Sequence, residues 1–260
     1  MRSKLGVLAV VALTAYALKR HYADASTDAL SWILMPTAQF VSVVTGVAFT
    51  AVPGEGYFST ERMFLIEKAC AGVNFMIAAF AMVAFTLLHR ARSVRESAAV
   101  VGVSLLAGYL TAIVVNTVRI VIVLWLADNQ VTFSSLTAAD IHCLEGIVVY
   151  FGGLLLLYLF VQRLDRGTRV FQYAVPLGCY YLVTLGLPLA NGAWSRAFFE
   201  HAVIVLLVPP VLILLVWGAR RFFSLYPRRS VAAGSSAHAR RAGNHAAAAA
   251  TISIAAAPNT

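Results

Sequence analysis

The stretch from Ala98 to Ala127, AAVVGVSLLAGYLTAIVVNTVRIVIVLWLA, decides the fold class of this chain. Its only formal charge is on Arg119. A helix needs about 20 apolar residues to cross the hydrocarbon core of a bilayer. At about 1.5 Å per residue, this stretch is longer than one ordinary crossing. We therefore expect a membrane helix with a kink near Asn116 to Arg119, and a remainder, Ile120 to Ala127, that lies along the interface or partly re-enters.

The composition predicts the same class for the whole chain. The 260 residues are 60% hydrophobic and 12% charged, with a mean hydropathy of +0.81. Soluble domains are roughly 45 to 50% apolar and about 25% charged. The net charge of +9 does not indicate nucleic-acid binding, because the basic residues fall in short loops and in the tail, where charges that set membrane topology occur. We therefore expect an integral membrane protein and no nucleic-acid partner.

The apolar runs predict an all-α polytopic bundle of about seven transmembrane helices within residues 1–222. The run from Leu5 to Leu18 is short, and Lys19 follows it rather than the small residues of a signal-peptide cleavage site, so we expect it to be retained. Residues 223–260 are rich in Ala, Gly, Ser and Arg and are expected to form a disordered tail. The other six predicted spans are 29–53, 69–88, 97–117, 143–162, 170–190 and 198–219.

The distribution of Lys and Arg predicts the orientation of these spans. Loops 89–97 and 163–169 and the tail are the most basic connections, and we expect them in the cytoplasm. This arrangement puts 14 of the 20 basic residues inside. Seven spans then place the amino terminus outside, although Arg2 and Lys4 favour the opposite side, and the carboxy terminus in the cytoplasm.

Three polar residues then meet at the outer face: Cys70, Arg119 and His142. A thiol, a guanidinium and an imidazole are the parts of a nucleophilic acyl-transfer site. Cys70 stands in EKACAGVNF, where Gly72 permits close approach of the backbone. Arg119 inside an apolar run costs several kcal/mol unless it reaches water or a partner. Asn116 lies on its face of the helix, one turn earlier.

Each of these residues also has an ordinary structural interpretation. In that interpretation, Arg119 extends its side chain from within a span to the membrane interface, and His142 is a helix-start residue without a chemical role. In the catalytic interpretation, Asp140 and Glu145 orient His142 as a base. Cys143 is the weaker nucleophile, because adjacent helical residues diverge by about 100°. Cys179 is interpreted as a structural residue, and three cysteines do not indicate a disulfide framework. No Gly-rich phosphate loop or metal-ligand spacing is present, so neither a cofactor nor a metal is expected.

Three short blocks resemble the motifs of the exosortase/archaeosortase family, in the same order on successive predicted helices. They are Cys70-Ala71-Gly72, Asn116-Thr117-Val118-Arg119 and His142-Cys143-Leu144-Glu145-Gly146. The wording CAGVNF resembles the branch called exosortase K, and the likeness covers roughly Glu67 to Gly152. It implies a multi-pass membrane cysteine transpeptidase with Cys70 as nucleophile, Arg119 as transition-state stabiliser and His142 as general acid and base. Asn116, Gly72 and Gly146 are then supporting residues. Many members have Ser where this chain has Ala71.

The resemblance implies that the chain processes carboxy-terminal sorting signals of exported proteins at the outer face of a bacterial cytoplasmic membrane. Its partners are then the apolar tails of those proteins, together with membrane lipids. The loop from Gly54 to Lys68, which contains several aromatic and apolar residues, is either an interfacial lid or a plain connector. Two alternatives remain. One is a transporter or channel with Arg119 and His142 along a polar path, and the other is a scaffold without catalysis.

Overall fold

The chain folds mainly into helices. The computed structural model describes residues 2–130, 137–165, 173–192, 194–196, 198–219 and 221–222. By their contacts, residues Met1–Pro210 form one unit and Val211–Thr260 form a second. In that second unit, Arg221 lies over the ring of Trp217. The predicted tail, 223–260, lies outside the described residues.

Eight α-helices occur among the described residues. A 3-10 turn, Asp28–Leu30, leads into the second helix, another, Lys68–Cys70, precedes the third, and a third 3-10 turn, Leu88–Arg90, follows it. A π-helical turn, Leu182–Gly186, joins the sixth and seventh. The helices are α1 (Arg2–Asp24), α2 (Ser31–Thr45), α3 (Val73–Leu87), α4 (Val94–Asp128), α5 (Ala138–Leu164), α6 (Ala174–Tyr181), α7 (Leu187–Ala190) and α8 (Phe198–Ala219).

Four helical segments are long and apolar enough to cross a membrane, and a shorter apolar helix covers Ala174–Ala190. This supports the predicted membrane class but not the predicted number of seven spans. Three of the four segments have 22 to 25 residues and match the thickness of the hydrocarbon core, whereas Val94–Asp128, with 35 residues, is longer than one crossing. The four are Lys68–Arg90, Val94–Asp128, Asp140–Leu164 and Phe198–Ala219.

Helix α3 is the centre of the bundle, and it packs against α1, α4, α5 and α6. Its sequence, VNFMIAAFAMVAFTL, is apolar on nearly all sides, and most of its side chains are buried. A helix that is apolar all round is one that neighbours surround. Gly108 of α4 allows close approach to α3, because a Cβ there would lie 3.0 Å from the backbone nitrogen of Phe80. This packing fixes α4, which carries Asn116 and Arg119, against α3.

Helix α4 is one uninterrupted α-helix of 35 residues. It continues through Asn116 to Arg119, and Ile120 to Ala127 remain helical, so the expected interruption is not found. Its beginning is fixed by a capping box, in which Ser93 and Glu96 satisfy each other's backbone N–H groups. At its other end, Arg62 from the loop before the third strand pairs with Asp128. That ion pair secures the part of α4 that extends past Arg119.

The predicted span 29–53 is wrong, because the residues before and after it, Asp28 and Gly54, are in direct contact. Helix α2 has only 15 residues and ends at Gly46, whose φ of 73° is left-handed. Such a conformation stops a helix and favours glycine. The Asp28 carboxylate before α2 accepts a hydrogen bond at 3.0 Å from the backbone N–H of Gly54. The chain therefore leads away from Asp28 as α2 and returns to Asp28 at Gly54.

A small antiparallel sheet follows this hairpin and corrects the all-α prediction. Strands β1 (Thr50–Val52), β2 (Gly56–Ser59) and β3 (Phe64–Ile66) pair in sequence order, with Ala51 opposite Tyr57 and Phe58 opposite Leu65. Gly56 has a φ of 130°, and a Cβ there would meet the carbonyl oxygen of Ile66. The loop predicted as a lid or connector is therefore an ordered sheet that leads directly into the Lys68–Cys70 turn.

Side-chain and helix contacts place the helix ends at two ends of the bundle, the Cys70 end and the Arg90 end. Lys19, near the end of α1, donates to Asn74 at the start of α3 over 2.7 Å, so α1 finishes at the Cys70 end. Helix α1 also contacts the Leu88–Arg90 turn, so it begins toward the Arg90 end. Arg90 binds Asp165, which follows α5, at 2.6 Å. Helices α1, α3 and α5 therefore each run from one end to the other.

Candidate active site

The turn that carries Cys70 is held from both sides. Residues Lys68–Cys70 form one turn of 3-10 helix between β3 and α3. The Lys68 ammonium donates to the carbonyl oxygens of Ala23 and Ala25 at 3.1 and 2.7 Å, and Tyr22 donates to the Lys68 carbonyl oxygen at 3.3 Å. These bonds satisfy carbonyl groups at the end of α1. They also fix the position of Cys70 relative to α1, which no sequence motif indicated.

Gly72 makes the change of direction between this turn and α3. It has a φ of 67° and stands immediately before the first residue of α3. This left-handed conformation costs L-residues with a side chain roughly 1–2 kcal/mol, but not glycine. A Cβ at Gly72 would also lie 3.4 Å from Cγ of Asn116. The backbone conformation therefore favours glycine at position 72, which lies beside Asn116 of α4.

A chain of hydrogen bonds connects the Cys70 turn to His142. The fully buried Asn116 donates from Nδ2 to the carbonyl oxygen of Cys70. Its Oδ1 accepts from the hydroxyl of Tyr150 at 2.9 Å. The same hydroxyl accepts from Nη1 of Arg119 at 3.1 Å, and Nη2 of Arg119 lies 2.9 Å from Nε2 of His142. The three sequence segments are therefore joined through five residues, which lie in the Lys68–Cys70 turn, on α4 and on α5.

The contact between Arg119 and His142 determines the tautomer of the imidazole. A guanidinium has five N–H donors and no acceptor. Nε2 of His142 must therefore accept in this bond, which leaves the ring neutral with its proton on Nδ1. In this arrangement the basic nitrogen of His142 is occupied by Arg119. The imidazole is therefore in the protonation state of a base, but the lone pair that would act is engaged.

The charge of Arg119 is compensated inside the bundle. Only 12% of its side chain is exposed, and Oε2 of Glu145, with 6% exposure, lies 3.4 Å from its Nε. At this distance the contact is an ion pair and not a hydrogen bond of normal geometry. The Tyr150 ring lies under the guanidinium at 5.2 Å and is itself stacked on Phe75. Arg119 is thus a buried, partly desolvated cation and not an arginine that extends to the interface.

Gly146 leaves room for this cation. A Cβ at Gly146 would be 3.5 Å from Nε of Arg119, which is an ordinary van der Waals distance. The predicted supporting position is therefore beside Arg119, although the backbone does not require glycine there. Asp140 has a different role from the one predicted. Its carboxylate completes a capping box with Thr137 at the start of α5, and Glu145 faces Arg119, so no bond of either carboxylate orients His142.

The thiol of Cys70 has no described hydrogen bond to His142; it interacts with the backbone of Glu67, and Cys70 is partly exposed. It lies within electrostatic range of Arg119. A thiol–imidazole contact does exist elsewhere, at 3.1 Å between Sγ of Cys143 and Nδ1 of His201 at the start of α8. Cys143 faces α8 while His142 faces α4, as the divergence of adjacent helical residues predicts. The structure thus places a second Cys–His pair close to the first set.

Sequence reasoning missed Tyr150 and His201. Tyr150 follows His142 and Gly146 at intervals of four residues, which puts all three on one face of α5, so this spacing was available as a signal. His201 is a polar residue at the beginning of an apolar run, and nothing in the sequence pairs it with Cys143. Cys179 is partly buried in α6, as expected for a structural residue.

Among the described residues, no group of three or more His, Cys, Asp or Glu side chains is arranged to hold a metal ion. The chain matches no protein-family model, no curated protein and no solved structure.

Proposed function

We propose that this chain is a membrane-embedded cysteine peptidase or transpeptidase that cleaves the carboxy-terminal sorting signals of exported proteins. The observation that carries the proposal is the hydrogen-bonded chain from the Cys70 carbonyl through Asn116, Tyr150 and Arg119 to His142. Residues separated by up to 72 positions in the sequence are gathered around one partly buried guanidinium. The resemblance of the three motif blocks to exosortases, on these same residues, supports the same function.

The first chemical step requires Arg119 to change partners. A substrate carbonyl bound beside Cys70 offers an oxygen acceptor to the guanidinium, and this releases Nε2 of His142. Nε2 then accepts the thiol proton while Sγ of Cys70 attacks the carbonyl carbon. The negative charge that develops on the oxygen is stabilised by the N–H donors of Arg119. Because Arg119 contacts His142 before the reaction, oxyanion binding and base release occur together.

The second step resolves the tetrahedral intermediate. The C–N bond breaks, and the proton on His142 passes to the departing amine, which leaves a thioester on Cys70. An amine, a lipid-linked acceptor or water then attacks the thioester and frees the thiol. Glu145 and the Tyr150 ring keep Arg119 in place and compensate its charge throughout. The substrate tail would lie among the helices at the Cys70 end, next to the sheet that leads into Cys70.

The topology that we propose has six crossings in place of seven. They are α1, α3, α4, α5, the α6–α7 segment and α8, while α2 returns to the Cys70 end. With the Cys70 end facing outward, both termini and the loops 89–97 and 163–169 lie in the cytoplasm. Arg2 and Lys4 are then inside, which the positive-inside rule favours. The site faces the exterior of a bacterial cytoplasmic membrane.

Detection of an acyl-enzyme tests this proposal. The full chain is co-expressed with an exported protein of the same cell that ends in an apolar tail, and membranes are examined for a conjugate that hydroxylamine cleaves. We expect mass spectrometry to find the thioester on Cys70. Cys70→Ala should abolish the conjugate, and Cys143→Ala should retain it. Processing that continues in Cys70→Ala would refute the assignment.

One observation favours a second candidate nucleophile. The thiol of Cys143 already contacts an imidazole at 3.1 Å, which is the arrangement that activates catalytic cysteines. A thioester on Cys143 in the same experiment would transfer the nucleophile role to that pair. A transporter or channel predicts a different pattern, since Cys70→Ala would then leave transport intact while Arg119 and His142 remain essential.

A further inference from the structure

A groove at the Arg90 end combines arginine side chains with an apolar wall. It has a volume of about 480 Å³ and lies where the turn after α3 meets the start of α4. Its polar lining comes from His89, Arg90, Arg92 and Glu96, and its apolar lining from Leu87, Ala99, Val100 and Val103. Helix α3 separates it from Cys70 by about 22 Å at 1.5 Å per residue, so it does not belong to the candidate active site.

The carboxylates near this groove are already engaged. Asp165, which is 8% exposed, accepts from Nε and Nη2 of Arg90 at 3.1 and 2.6 Å and lies 3.2 Å from Nε2 of His89. Glu96 accepts from the backbone N–H groups of Arg92 and Ser93 and from the Ser93 hydroxyl. Asp165 therefore holds Arg90 in place, and Oε2 of Glu96 holds the backbone before α4.

The guanidinium groups retain donors that no described residue uses. Nη1 of Arg90 makes no hydrogen bond within the described chain, and its side chain is 55% exposed. The exposed Arg92 guanidinium makes neither a hydrogen bond nor an ion pair with a described side chain. It interacts with the Glu96 carboxylate only by longer-range electrostatic attraction. Planar guanidinium donors match the geometry of phosphate oxygens. The groove thus presents two arginines to an anion from outside the protein.

The apolar wall continues along the outer surface of α4. Val103, Leu106 and Leu110 are 55%, 58% and 52% exposed and follow one another at helical spacing. They start at the groove and run toward the middle of the membrane. A ligand with a phosphate at one end and an acyl chain at the other would place the phosphate on the arginines and the acyl chain along the apolar surface of α4.

We infer that this groove binds an anionic phospholipid, with its phosphate on Arg90 and Arg92 and an acyl chain along Ala99 and Val103. Basic pockets between membrane helices bind acidic headgroups in this manner. The inference depends on membrane insertion and not on the proposed peptidase function. The bound lipid would also contact the Arg90–Asp165 ion pair, which joins the ends of α3 and α5.

Lipid retention by the full-length protein in detergent tests this inference. The probes are phosphatidylglycerol and phosphatidylcholine with identical acyl chains, each measured by native mass spectrometry and by the midpoint temperature of unfolding. We expect phosphatidylglycerol to be retained and stabilising, and phosphatidylcholine to be washed away. Arg92→Gln should weaken phosphatidylglycerol binding about fivefold, the factor for one basic residue near an acidic lipid. Arg95→Gln is the matched control and should bind normally, because Arg95 is an exposed arginine three residues later, in the first turn of α4 and outside the groove.

A second variant separates the acyl-chain contact from charge. Ala99→Leu keeps every charge and adds apolar volume to the groove wall, so it should reduce retention of phosphatidylglycerol while the protein folds normally. Equal binding by wild type, Arg92→Gln and Ala99→Leu would overturn the inference. Stabilisation by inorganic phosphate alone, to the extent that the lipid gives, would identify a phosphate site and would also overturn it.

Discussion

Arg119 donates a hydrogen bond from Nη2 to Nε2 of His142 across 2.9 Å, so the imidazole is neutral and its basic nitrogen is occupied. The same guanidinium reaches Tyr150 through Nη1 and lies 3.4 Å from Glu145 through Nε. Each edge of the planar group therefore has a different neighbour. In the proposed mechanism, only the bond to His142 is exchanged during catalysis.

Arg119→Lys should lower processing by about 10² to 10³, the usual cost of losing an oxyanion donor. An ammonium keeps the charge but cannot reach Tyr150, Glu145 and His142 from one planar group.

His142→Gln should lower turnover by about 10² to 10⁴ through loss of proton transfer, while the substrate still co-purifies. Uncleaved substrate is measured in cells that express each variant at matched levels. Normal processing by Arg119→Lys would reduce this residue to a structural cation.

Tyr150→Phe tests whether the hydroxyl that connects Asn116 to Arg119 positions the guanidinium. The ring would keep its stacking on Phe75 and its place under Arg119. We expect about tenfold slower turnover, from the loss of a charge-assisted hydrogen bond worth roughly 1.4 kcal/mol.

Tyr109→Phe is the matched control for this variant. Its hydroxyl donates to the carbonyl oxygen of Trp32 at 2.8 Å and is part of the packing between α4 and α2. It should lower the midpoint of unfolding by a similar amount and leave turnover per folded molecule unchanged. Equal losses of turnover in both variants would mean that Tyr150 acts only through stability.

The two glycines predicted as supporting residues should respond differently to alanine. Gly72→Ala places a side chain at a φ of 67° and against Asn116, so it should destabilise the protein by roughly 1–2 kcal/mol and slow processing. Gly146→Ala adds a methyl group at an ordinary contact distance from Arg119 and should fold normally. Unfolding in detergent measures both. A larger loss of stability at Gly146 than at Gly72 would contradict the geometry described above.

Cys143→Ser and His201→Ala should leave processing essentially unchanged, because the proposed nucleophile is Cys70. The readout is again accumulation of uncleaved substrate, with Cys70→Ser as the inactive reference. A hydroxyl with a pKa far above that of a thiol is poorly activated by a single imidazole. If Cys143→Ser is inactive and Cys70→Ser is active, the catalytic pair is Cys143 and His201.

Single cysteines introduced at Ser3 and Ser26, in a chain with its three native cysteines replaced by alanine, test the topology. A membrane-impermeant thiol reagent applied to intact cells should label position 26 and not position 3, because α1 runs from the Arg90 end to the Cys70 end. Seven crossings predict the reverse. Labelling of a cysteine at Ser93 from outside would place Cys70 in the cytoplasm and exclude external sorting.

The sequence by itself determined the membrane class and the three blocks that meet. Long apolar runs are favourable only in the hydrocarbon core of a bilayer, so local composition is enough to predict the membrane class. A single arginine in such a run requires a partner or access to water, so local composition also identifies Arg119 as a residue that contacts other segments. The shared face of Asn116 and Arg119 likewise follows from helical periodicity.

Only the tertiary structure decided what binds Arg119 and that the chain from Asp28 to Gly54 turns back on itself. Moving Arg2 and Lys4 to the cytoplasmic side, in exchange for Lys19 and Arg20, leaves 14 of the 20 basic residues inside, so charge counting does not distinguish the two topologies. The bond from Gly54 to Asp28 favours the proposed six crossings, because it brings both ends of the α2 segment together. Contacts between distant segments, such as Tyr150 with Asn116 and Cys143 with His201, depend on helix packing that no single segment encodes.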